Sequence, residues 1–434
     1  MPLQYTAGPP AAQPFSSRDR LITEIAGLGP DPLLHLGCVL VFDGGPPAPE
    51  LLADHVRTRL PALRELVLRP DPGQRRWVPV DRPDIDAHVH TLTVSGDLLR
   101  DPSLAVDAVL DQPLDHSRPL WGLWIVASAT GDGFALAYRA HHAFQDGRAA
   151  AETVDRLFGP AGTGADGRGT GALTARGGTA ASLTSALLRD LLPTARPRAV
   201  DWPPARHPAA GTRHAAVGSY ELRRVHDLIR GTGAGISHIA LAALTGALRA
   251  WHPDTWRDAA SPLPATFALS VRTADDPYRL LGNRGAVAVL PLPCHDPSPA
   301  ARLETLRAEA SPARLADLAG RHTALFDHMP YWCARKGLRR TIDARRVPLA
   351  LADVRFRADL SWQGRRPEAV HLLPPSVPGQ PLFAAWTTHG GRLRITFVAD
   401  TGVPGLDALP GHFDDALDRL TARPAPAPAP CPAP

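Results

Sequence analysis

Lysine is almost absent from this sequence of 434 residues, in which Lys336 is the only one among 47 basic side chains. Proline and glycine are abundant, so the excess of arginine indicates a compositional bias rather than a function. The net charge of +4 is spread along the chain. Because nucleic-acid surfaces need clustered positive charge, we expect no nucleic-acid partner, whereas an anionic small ligand is compatible with this composition.

Cysteine is also scarce, and the chain contains no CxxC pair. The spacing therefore predicts neither a disulfide framework nor a zinc site. The 18 histidines include no HExxH or other metal-ligand spacing, and we expect no metal. The four cysteines are Cys38, Cys294, Cys333 and Cys431.

Two widespread catalytic motifs are missing as well. Ser117 and Ser270 stand outside any GxSxG elbow, which argues against a serine hydrolase. The glycine-rich residues 231–235 do not follow a strand in a βαβ unit, so they do not predict a phosphate-binding loop.

Long apolar runs are lacking. No segment reaches the roughly 18 consecutive apolar residues that a membrane-spanning helix needs. The first thirty residues show no basic stretch followed by an apolar run, so no secretory signal is predicted. We expect a cytoplasmic protein, and a peripheral contact with a membrane or lipid surface stays open.

The sequence does contain enough apolar residues for a large core, with 44% hydrophobic and 21% charged residues. A chain of this length exceeds one ordinary core, which favours two lobes. Strands alternate with helices in both halves, so we expect an α/β fold. We place an N-terminal lobe at 1–160, a flexible Gly- and Pro-rich linker at 161–214, a C-terminal lobe at 215–422 and a disordered Ala/Pro tail at 423–434.

The apolar periodicity predicts individual elements. In the N-terminal half, strands are expected at 34–42, 77–80, 88–94, 120–128 and 133–140, with helices at 50–60, 101–111 and 148–158. In the C-terminal half, strands are expected at 265–271, 286–292, 382–388 and 393–399, with helices at 236–251, 299–318 and 406–420 and a short helical patch at 182–192 in the linker.

One segment combines these elements with reactive side chains. The apolar strand at 133–140 leads directly into His141 and His142, and Asp146-Gly147 then provides a turn into the next helix. A histidine at the mouth of a buried strand has a lowered pKa and stays neutral, as a general base must. From local sequence alone, the alternative that both histidines merely close a strand stays open.

The wider sequence favours the catalytic alternative. Residues 141–147 match the HHxxxDG signature, and the chain resembles the superfamily of chloramphenicol acetyltransferase, nonribosomal peptide synthetase condensation domains and bacterial wax ester synthase/diacylglycerol acyltransferases. Residues 113–121 (PLDHSRPLW) look like the PLDxxRPLW segment of the wax ester synthase branch, about twenty residues before the histidines. Residues 42–44 (FDG), 268–272 (ALSVR) and 281–284 (LGNR) also resemble that branch. The likeness covers 15–160 strongly and 235–420 more loosely.

This resemblance implies two chloramphenicol-acetyltransferase-like lobes, each a mixed sheet flanked by helices, with the active-site tunnel between them. It implies that His142 deprotonates an acceptor hydroxyl, that His141 supports the loop, and that Asp146 pairs with an arginine such as Arg272. Gly147 would allow the turn. The co-substrate would be an acyl-CoA or acyl carrier protein thioester, with no further cofactor.

Two departures from the family pattern concern the acceptor. Where wax ester synthases carry Asn-Asp at the start of a helix, this chain has Ser237-His238. Ser237 could donate a hydrogen bond in the site, and an N-cap role is the simpler expectation; His238 is expected at the surface or between the lobes. The family's Asn-Val-Pro-Gly-Pro segment is replaced by residues 353–360 (DVRFRADL).

Three functions therefore stay open. The first is transfer of an acyl group from acyl-CoA to an alcohol acceptor. The second is a stand-alone condensation-type reaction, in which a carrier-protein-bound acyl group forms an ester or amide with an alcohol or amine. The third is a non-catalytic binding protein with the same fold, against which the intact His142 and Asp146 argue. Acyl chain length, acceptor identity and oligomeric state are not encoded legibly in the sequence.

Overall fold

The computed structural model describes residues 10–29, 31–131, 133–160, 201–207, 211–272, 279–328, 330–341, 343, 346–377 and 380–421. The predicted tail at 423–434 and the helical patch at 182–192 lie outside these residues, as does most of the predicted linker. Within that linker, Trp202 is buried, and a strand already begins at Arg213.

The N-terminal lobe contains a five-stranded mixed sheet, in which one outer pair of strands is parallel and all other neighbours are antiparallel. Across the sheet, the strands are β12 (Ala369–Leu373), β2 (His35–Phe42), β7 (Phe134–His141), β6 (Trp121–Ser128) and β5 (Val89–Val94). A small antiparallel sheet is formed by β1 (Gln13–Pro14), β4 (Arg76–Pro79) and β3 (Leu68–Asp71). The helices of this lobe are α1 (Ser17–Ala26), α2 (Pro49–Arg59), α3 (Ser103–Leu110) and α4 (Gly147–Phe158).

Both faces of the N-terminal sheet are covered, which explains why its central strands are mostly apolar. Side chains alternate along a strand, so Leu40 and Phe42 of β2 pack into one core cluster while Val39 and Val41 pack into another. The β6–β7 hairpin predicted from the apolar runs is confirmed, with Trp121 opposite Ala140 in an antiparallel register.

The C-terminal lobe contains a six-stranded mixed sheet. Its strands, in order across the sheet, are β10 (Gly285–Leu292), β9 (Leu263–Ser270), β11 (Leu349–Asp353), β13 (Leu382–His389), β14 (Arg392–Asp400) and β8 (Arg213–Glu221). Its helices are α5 (Leu222–Thr232), α6 (Ile236–Trp251), α7 (Pro299–Glu309), α8 (Pro312–His328), α9 (Tyr331–Thr341) and α10 (Leu409–Thr421). The predicted α/β fold with two helix-flanked mixed sheets is confirmed.

The C-terminal half of the chain contributes one strand to the N-terminal sheet. β12 comes from the C-terminal half of the chain, yet it pairs with β2 in the N-terminal sheet, where Val370 lies opposite Leu40. The boundary between the two lobes is called the seam. At another point along it, the carboxylate of Asp107 in α3 accepts the backbone N–H of Ala215 in β8 at 2.7 Å. The N-terminal sheet is therefore complete only when the C-terminal half has folded against it.

One predicted helix of the C-terminal half was wrong. The single helix expected at 299–318 is two helices, because Pro312 lacks a backbone N–H and restricts the residue before it. His371 is buried in β12, where burial lowers its pKa to about 3. Trp332 is 66% exposed, whereas its neighbour Cys333 is buried.

Among the described residues, no single helix is long and apolar enough to cross a bilayer. The pair α5 and α6 meets that requirement only when both helices are counted together, and the pair is bent by 103°.

Gly37 offers a test of the central strand pair. A Cβ at Gly37 would lie 1.8 Å from the carbonyl oxygen of Tyr138, which belongs to the neighbouring strand and cannot rotate away. We expect Gly37→Ala to lower the free energy of unfolding by about 3 kcal/mol or more, measured by urea denaturation. Gly45→Ala is the matched control, because nothing lies within 4 Å of its added Cβ. Equal stability of the two variants would contradict this packing.

Candidate active site

His142 stands where β7 ends and the chain turns into α4. Its backbone N–H donates to the carbonyl of Leu34 at 2.8 Å, which holds the end of β7 beside β2. Four residues later, the Asp146 side chain caps α4 by accepting the N–H of Ala149 at 2.9 Å. The strand end and the helix cap thus fix both sides of the histidine.

Asp146 forms a buried ion pair with Arg272, which follows β9 in the other lobe. The guanidinium Nε donates to the two carboxylate oxygens at 3.0 and 2.8 Å. The remaining guanidinium nitrogens donate to the carbonyls of Arg279, Leu281 and Gly282. Burial acts to raise the pKa of Asp146, but the charge and hydrogen bonds of Arg272 outweigh it, so the pKa lies below its ordinary value. Asp146 is therefore an ionised anchor rather than an acid facing substrate.

The ring of His142 is held between two polar groups. Its Nδ1 lies 3.3 Å from the carbonyl oxygen of Gln145 and 3.1 Å from the amide nitrogen of Asn283. The Asn283 side-chain oxygen accepts the N–H of Gly285 at 2.8 Å, which turns the amide nitrogen toward the histidine. A neutral ring with its proton on Nδ1 donates to Gln145, and one with its proton on Nε2 accepts from Asn283. Among the described residues, Nε2 has no partner.

The two histidines differ in what they can do chemically. Nδ1 of His141 accepts the N–H of Ala143 at 3.0 Å, and burial lowers the pKa of His141 to about 3, so it stays neutral and closes the turn. Burial also lowers the pKa of His142, while the negative charge of Asp146 acts in the opposite direction. His142 is partly exposed, and it borders a cavity of about 1120 Å³ that both lobes line.

The same cavity wall contains Ser237, although not as a helix cap. Gly235 is the N-cap of α6, and Ser237 instead donates its hydroxyl hydrogen to Asp353 at 2.6 Å. The expected N-cap role was therefore wrong, because the helix begins two residues earlier than that role requires. His238 lies at the helix start, where its Nδ1 accepts the N–H of Gly235 at 3.0 Å and its Nε2 contacts the carbonyl of Ala310.

Gly147 lines the cavity for a reason other than the one expected. Its backbone does not need the left-handed conformation that favours glycine, so the turn alone does not require it. A Cβ there would lie 3.3 Å from a methyl group of Val354, which is a tight contact. The absence of a side chain lets α4 approach the segment that follows β11.

Sequence reasoning did not assign roles to two residues that contact this site. Asn283 was noted within the segment LGNR, and only the fold brings it to His142. Gln145 is fully buried, and its amide nitrogen donates to Thr153 at 2.8 Å and to the carbonyl of Leu280 at 2.9 Å. Gly282 has a φ of +71° and lies against Asp19, whose carboxylate accepts the N–H of Asn283 at 2.8 Å.

One group near the histidines has the composition of a metal site. Possible ligand atoms of Asp31, His35 and His116 all lie within 4.8 Å of one another. However, Nδ1 of His35 accepts a hydrogen bond from Arg139 at 3.0 Å, so its proton is on Nε2, which faces the Asp31 carboxylate at 3.2 Å. A metal would have to displace that proton beside a buried guanidinium. His116 Nε2 is hydrogen bonded to the other Asp31 oxygen at 2.5 Å, so the three side chains form a cluster of ionisable groups centred on Asp31.

The Asp146–Arg272 pair yields a stability prediction. Asp146→Asn would leave the guanidinium buried without its counter-charge, and we expect the free energy of unfolding to fall by about 3–5 kcal/mol. The matched control is Asp254→Asn, which removes the same charge from a pair with Arg257 whose side chains are 75% and 83% exposed. That change should cost at most about 1 kcal/mol. Urea denaturation of both variants measures the difference, and similar losses would refute the role of the buried pair.

Comparisons with known proteins agree with this geometry. The model of the wax ester synthase/diacylglycerol acyltransferase catalytic domain matches residues 27–163, and that of the WS/DGAT C-terminal domain matches residues 281–421. A Mycobacterium tuberculosis protein assigned as a diacylglycerol O-acyltransferase is 26% identical over 393 residues, or 85% of this chain and 82% of that protein. A Mycobacterium bovis protein with the same assignment is 26% identical over 80% of this chain and 77% of its own length.

Solved structures show the same fold. The wax ester synthase/diacylglycerol acyltransferase of Marinobacter aquaeolei matches with a TM-score of 0.61 and 17% identity, covering 94% of this chain and 98% of that one. The starter condensation domain of rhizomide synthetase, in a variant bound to C8-CoA, matches with a TM-score of 0.65 and 16% identity over 95% of each chain. The chain belongs to the wax ester synthase/diacylglycerol acyltransferase family and is an acyltransferase.

Proposed function

We propose that this protein transfers an acyl group from acyl-CoA to the hydroxyl of an alcohol acceptor, with His142 as general base. The proposal rests above all on one observation, the partly exposed His142 ring whose Nε2 has no partner among the described residues at the wall of the cavity. The tautomer that carries its proton on Nδ1, where the Gln145 carbonyl can accept it, is the one that leaves Nε2 basic.

In the proposed reaction, Nε2 of His142 takes the proton of the acceptor hydroxyl. The oxygen then forms a bond with the thioester carbonyl carbon, and the carbon–sulfur bond breaks in the following collapse. The leaving thiolate recovers the proton from the imidazolium, which yields an ester and a free thiol. While His142 is protonated, its Nδ1–H has the Gln145 carbonyl as acceptor.

The size of the cavity supports a reaction between two bound substrates. Its volume of about 1120 Å³ exceeds the roughly 300–1,000 Å³ typical of sites for one small ligand. Leu21 and Ile25 of α1 and Phe326 of α8 give one part of the wall an apolar surface suited to an acyl chain. Donor and acceptor can therefore occupy the cavity together.

The acceptor is proposed to carry polar groups besides the reacting hydroxyl. Asp353 receives hydrogen bonds from Ser237 at 2.6 Å and from Arg355 at 3.1 Å, and all three side chains border the cavity. Placing an alkyl chain against this cluster would desolvate its charges without replacing their hydrogen bonds. A hydroxyl compound that can hydrogen bond to the cluster avoids that cost.

The lowered pKa of His142 predicts the pH dependence of the reaction. The base works only when neutral, so kcat/KM should be constant above the pKa of the histidine and fall as the pH drops through it. Because burial lowers this pKa, the midpoint of the acid limb should lie below the ordinary value of 6.5. A profile of kcat/KM from pH 4 to 9 measures it. An acid limb with its midpoint above 6.5 would be inconsistent with a buried histidine base.

The reaction itself is tested with purified protein, acyl-CoAs of several chain lengths and a panel of simple alcohols, polyols and amines, while release of free thiol is followed. We expect acceptor-dependent release with hydroxyl compounds, and a decrease of about 10²- to 10⁴-fold in His142→Ala. His226→Ala, which changes an exposed histidine on α5, is the control and should keep full activity.

The other outcomes separate the alternatives. Turnover with an acylated carrier protein but with no CoA thioester would show that the donor is the carrier protein. Turnover with amines alone would show that the acceptor is an amine. No turnover with any donor, together with tight binding of an acyl thioester, would identify a binding protein of this fold.

A further inference from the structure

His322 lies on α8, in the apolar part of the cavity wall. It comes seven residues after Leu315 and four before Phe326, a spacing that places the three side chains on one face of the helix. All three border the cavity, and the rings of His322 and Phe326 lie 4.8 Å apart between their centroids. A polar ring therefore stands between two apolar side chains on the helix face that meets the cavity.

The mechanism proposed above does not use this histidine. Among the residues that the structure describes, no group forms a hydrogen bond with the His322 ring, and its Nδ1 is buried. The side chain is nevertheless partly exposed, and it borders the cavity. Burial, and after it the charge of Arg18, lowers the pKa of His322 to about 3, so the ring stays neutral near pH 7. A neutral imidazole thus meets the cavity with Nε2 available to a ligand.

A second unpaired polar atom belongs to Gln380. Its amide nitrogen donates to the carbonyl of Val347 at 2.9 Å, which fixes the side chain. Its Oε1 is buried, and no described residue donates to it. The backbone N–H of Gln380 donates to the carbonyl of Val377, which packs against the apolar cluster that contains Phe326. Gln380 therefore borders the same part of the cavity as His322.

These two side chains are poorly suited to a plain alkyl chain. An alkyl chain that fills this part of the cavity would remove water from His322 and Gln380 without replacing its hydrogen bonds. A leucine or phenylalanine at either position would bind the same chain without that cost. The wall is instead complementary to a chain that carries a hydrogen-bonding group.

A hydroxyl is the group that fits both side chains. Oε1 of Gln380 can only accept, whereas Nε2 of His322 donates in one tautomer and accepts in the other. A hydroxyl both donates and accepts, so it can pair with either atom, but a carbonyl or ether oxygen cannot pair with Oε1. An ammonium group is disfavoured because the guanidinium of Arg18 borders the cavity here, over the ring of Phe326.

We infer that the acyl chain of the donor carries a hydroxyl group, and that His322 determines specificity by forming a hydrogen bond with it. This inference rests on the proposed function, in which the apolar wall of α1 and α8 binds the acyl chain. The substrate class is then a hydroxyacyl thioester, and Gln380 is a second partner for the same hydroxyl. The acceptor keeps its own polar site at Ser237, Asp353 and Arg355.

The test compares acyl-CoAs of one chain length, with and without a hydroxyl at successive carbons of the chain. Release of thiol is followed with one simple alcohol as acceptor. At the matching carbon, we expect the hydroxylated donor to have a kcat/KM about tenfold higher than that of the plain chain. A site that hydrogen bonds a substrate hydroxyl discriminates against the analogue without it, because its own polar groups are then left unpaired.

Substitutions of His322 test its role in this preference. His322→Phe keeps an aromatic ring against Phe326 but removes both nitrogens. We expect it to abolish the preference while the kcat/KM for the plain chain stays equal or rises, which damage to the fold would not produce. His322→Gln retains a hydrogen-bonding group and should restore part of the preference. The control is His226→Phe, at an exposed position of α5, which should keep the preference.

Two results would overturn the inference and leave the proposed function intact. One is a plain chain preferred over every hydroxylated chain, and the other is an equal loss with both donors in His322→Phe. A preference that follows hydroxyls of the acceptor instead would overturn the assignment to the acyl chain. If no thioester turns over, the proposed function fails, and calorimetric titration decides the inference. The hydroxylated acyl-CoA should then bind the wild type more tightly than the plain one, and His322→Phe should bind both equally.

Discussion

The buried ion pair between Asp146 and Arg272 is the interaction on which the active site depends. Its partners come from opposite lobes, and their side chains are only 7% and 4% exposed. The desolvation cost of burying two charges is offset only when both groups form most of the hydrogen bonds that they can make. Here the guanidinium donates hydrogen bonds to the carboxylate and to three carbonyls. The carboxylate also accepts the backbone N–H groups of Ala149 and Arg284. The pair therefore specifies one geometry, even if it contributes little net stability.

The ion pair also positions His142, because Arg272 donates hydrogen bonds to carbonyls of residues 279–282, next to the histidine. Once the carbonyls of 279–282 are fixed, the N–H of Gly282 donates to the carbonyl of Phe144 at 2.6 Å, and Asn283 comes to lie beside the imidazole. One side of the histidine is thus supplied by the loop after β7, and the other by the opposite lobe. Neither half of the chain can orient the His142 ring alone. The strand β12, which pairs with β2 across the same seam, adds a backbone connection that resists separation of the lobes.

The sequence predicted the parts of the fold whose signals are local. The β6–β7 hairpin and α4 have long apolar runs, clear periodicity and a turn between them, so their bounds were close to those observed. β12 was missed because it has five residues in a proline-rich region, and its partner strand lies more than 300 residues earlier. α1 was missed because it has few apolar residues, although Ser16 and Asp19 form a capping box at its start.

The candidate active site likewise contains residues that local patterns predict and residues that they do not. The seven residues of HHxxxDG are contiguous, so their pattern was readable, and the arginine that pairs with Asp146 could be named from a second motif. Asn283 lies 141 residues from the histidine that it contacts, and no local pattern predicts such a distance. Ser237 was expected to be an N-cap because serine is common at that position. Gly235 is the N-cap instead, and the Ser237 hydroxyl donates a hydrogen bond to Asp353. Side-chain partners across the seam depend on the fold, which residue spacing alone does not give.

The cavity wall has two parts of different composition. His142 and the Asp146–Arg272 ion pair, to which the proposed function assigns the chemistry, belong to segments that resemble the family. The polar part of the wall is formed by Ser237, Asp353 and Arg355, in segments where the sequence departs from the family pattern. Apolar burial contributes about 25 cal/mol for each Å² of surface, but only where the wall is itself apolar. A ligand that spans both parts of this cavity gains from the apolar wall with its acyl chain and from the polar wall with hydrogen-bonding groups. In the proposed function, specificity for the acceptor depends on Ser237, Asp353 and Arg355, while the chemistry depends on the ion pair that holds His142.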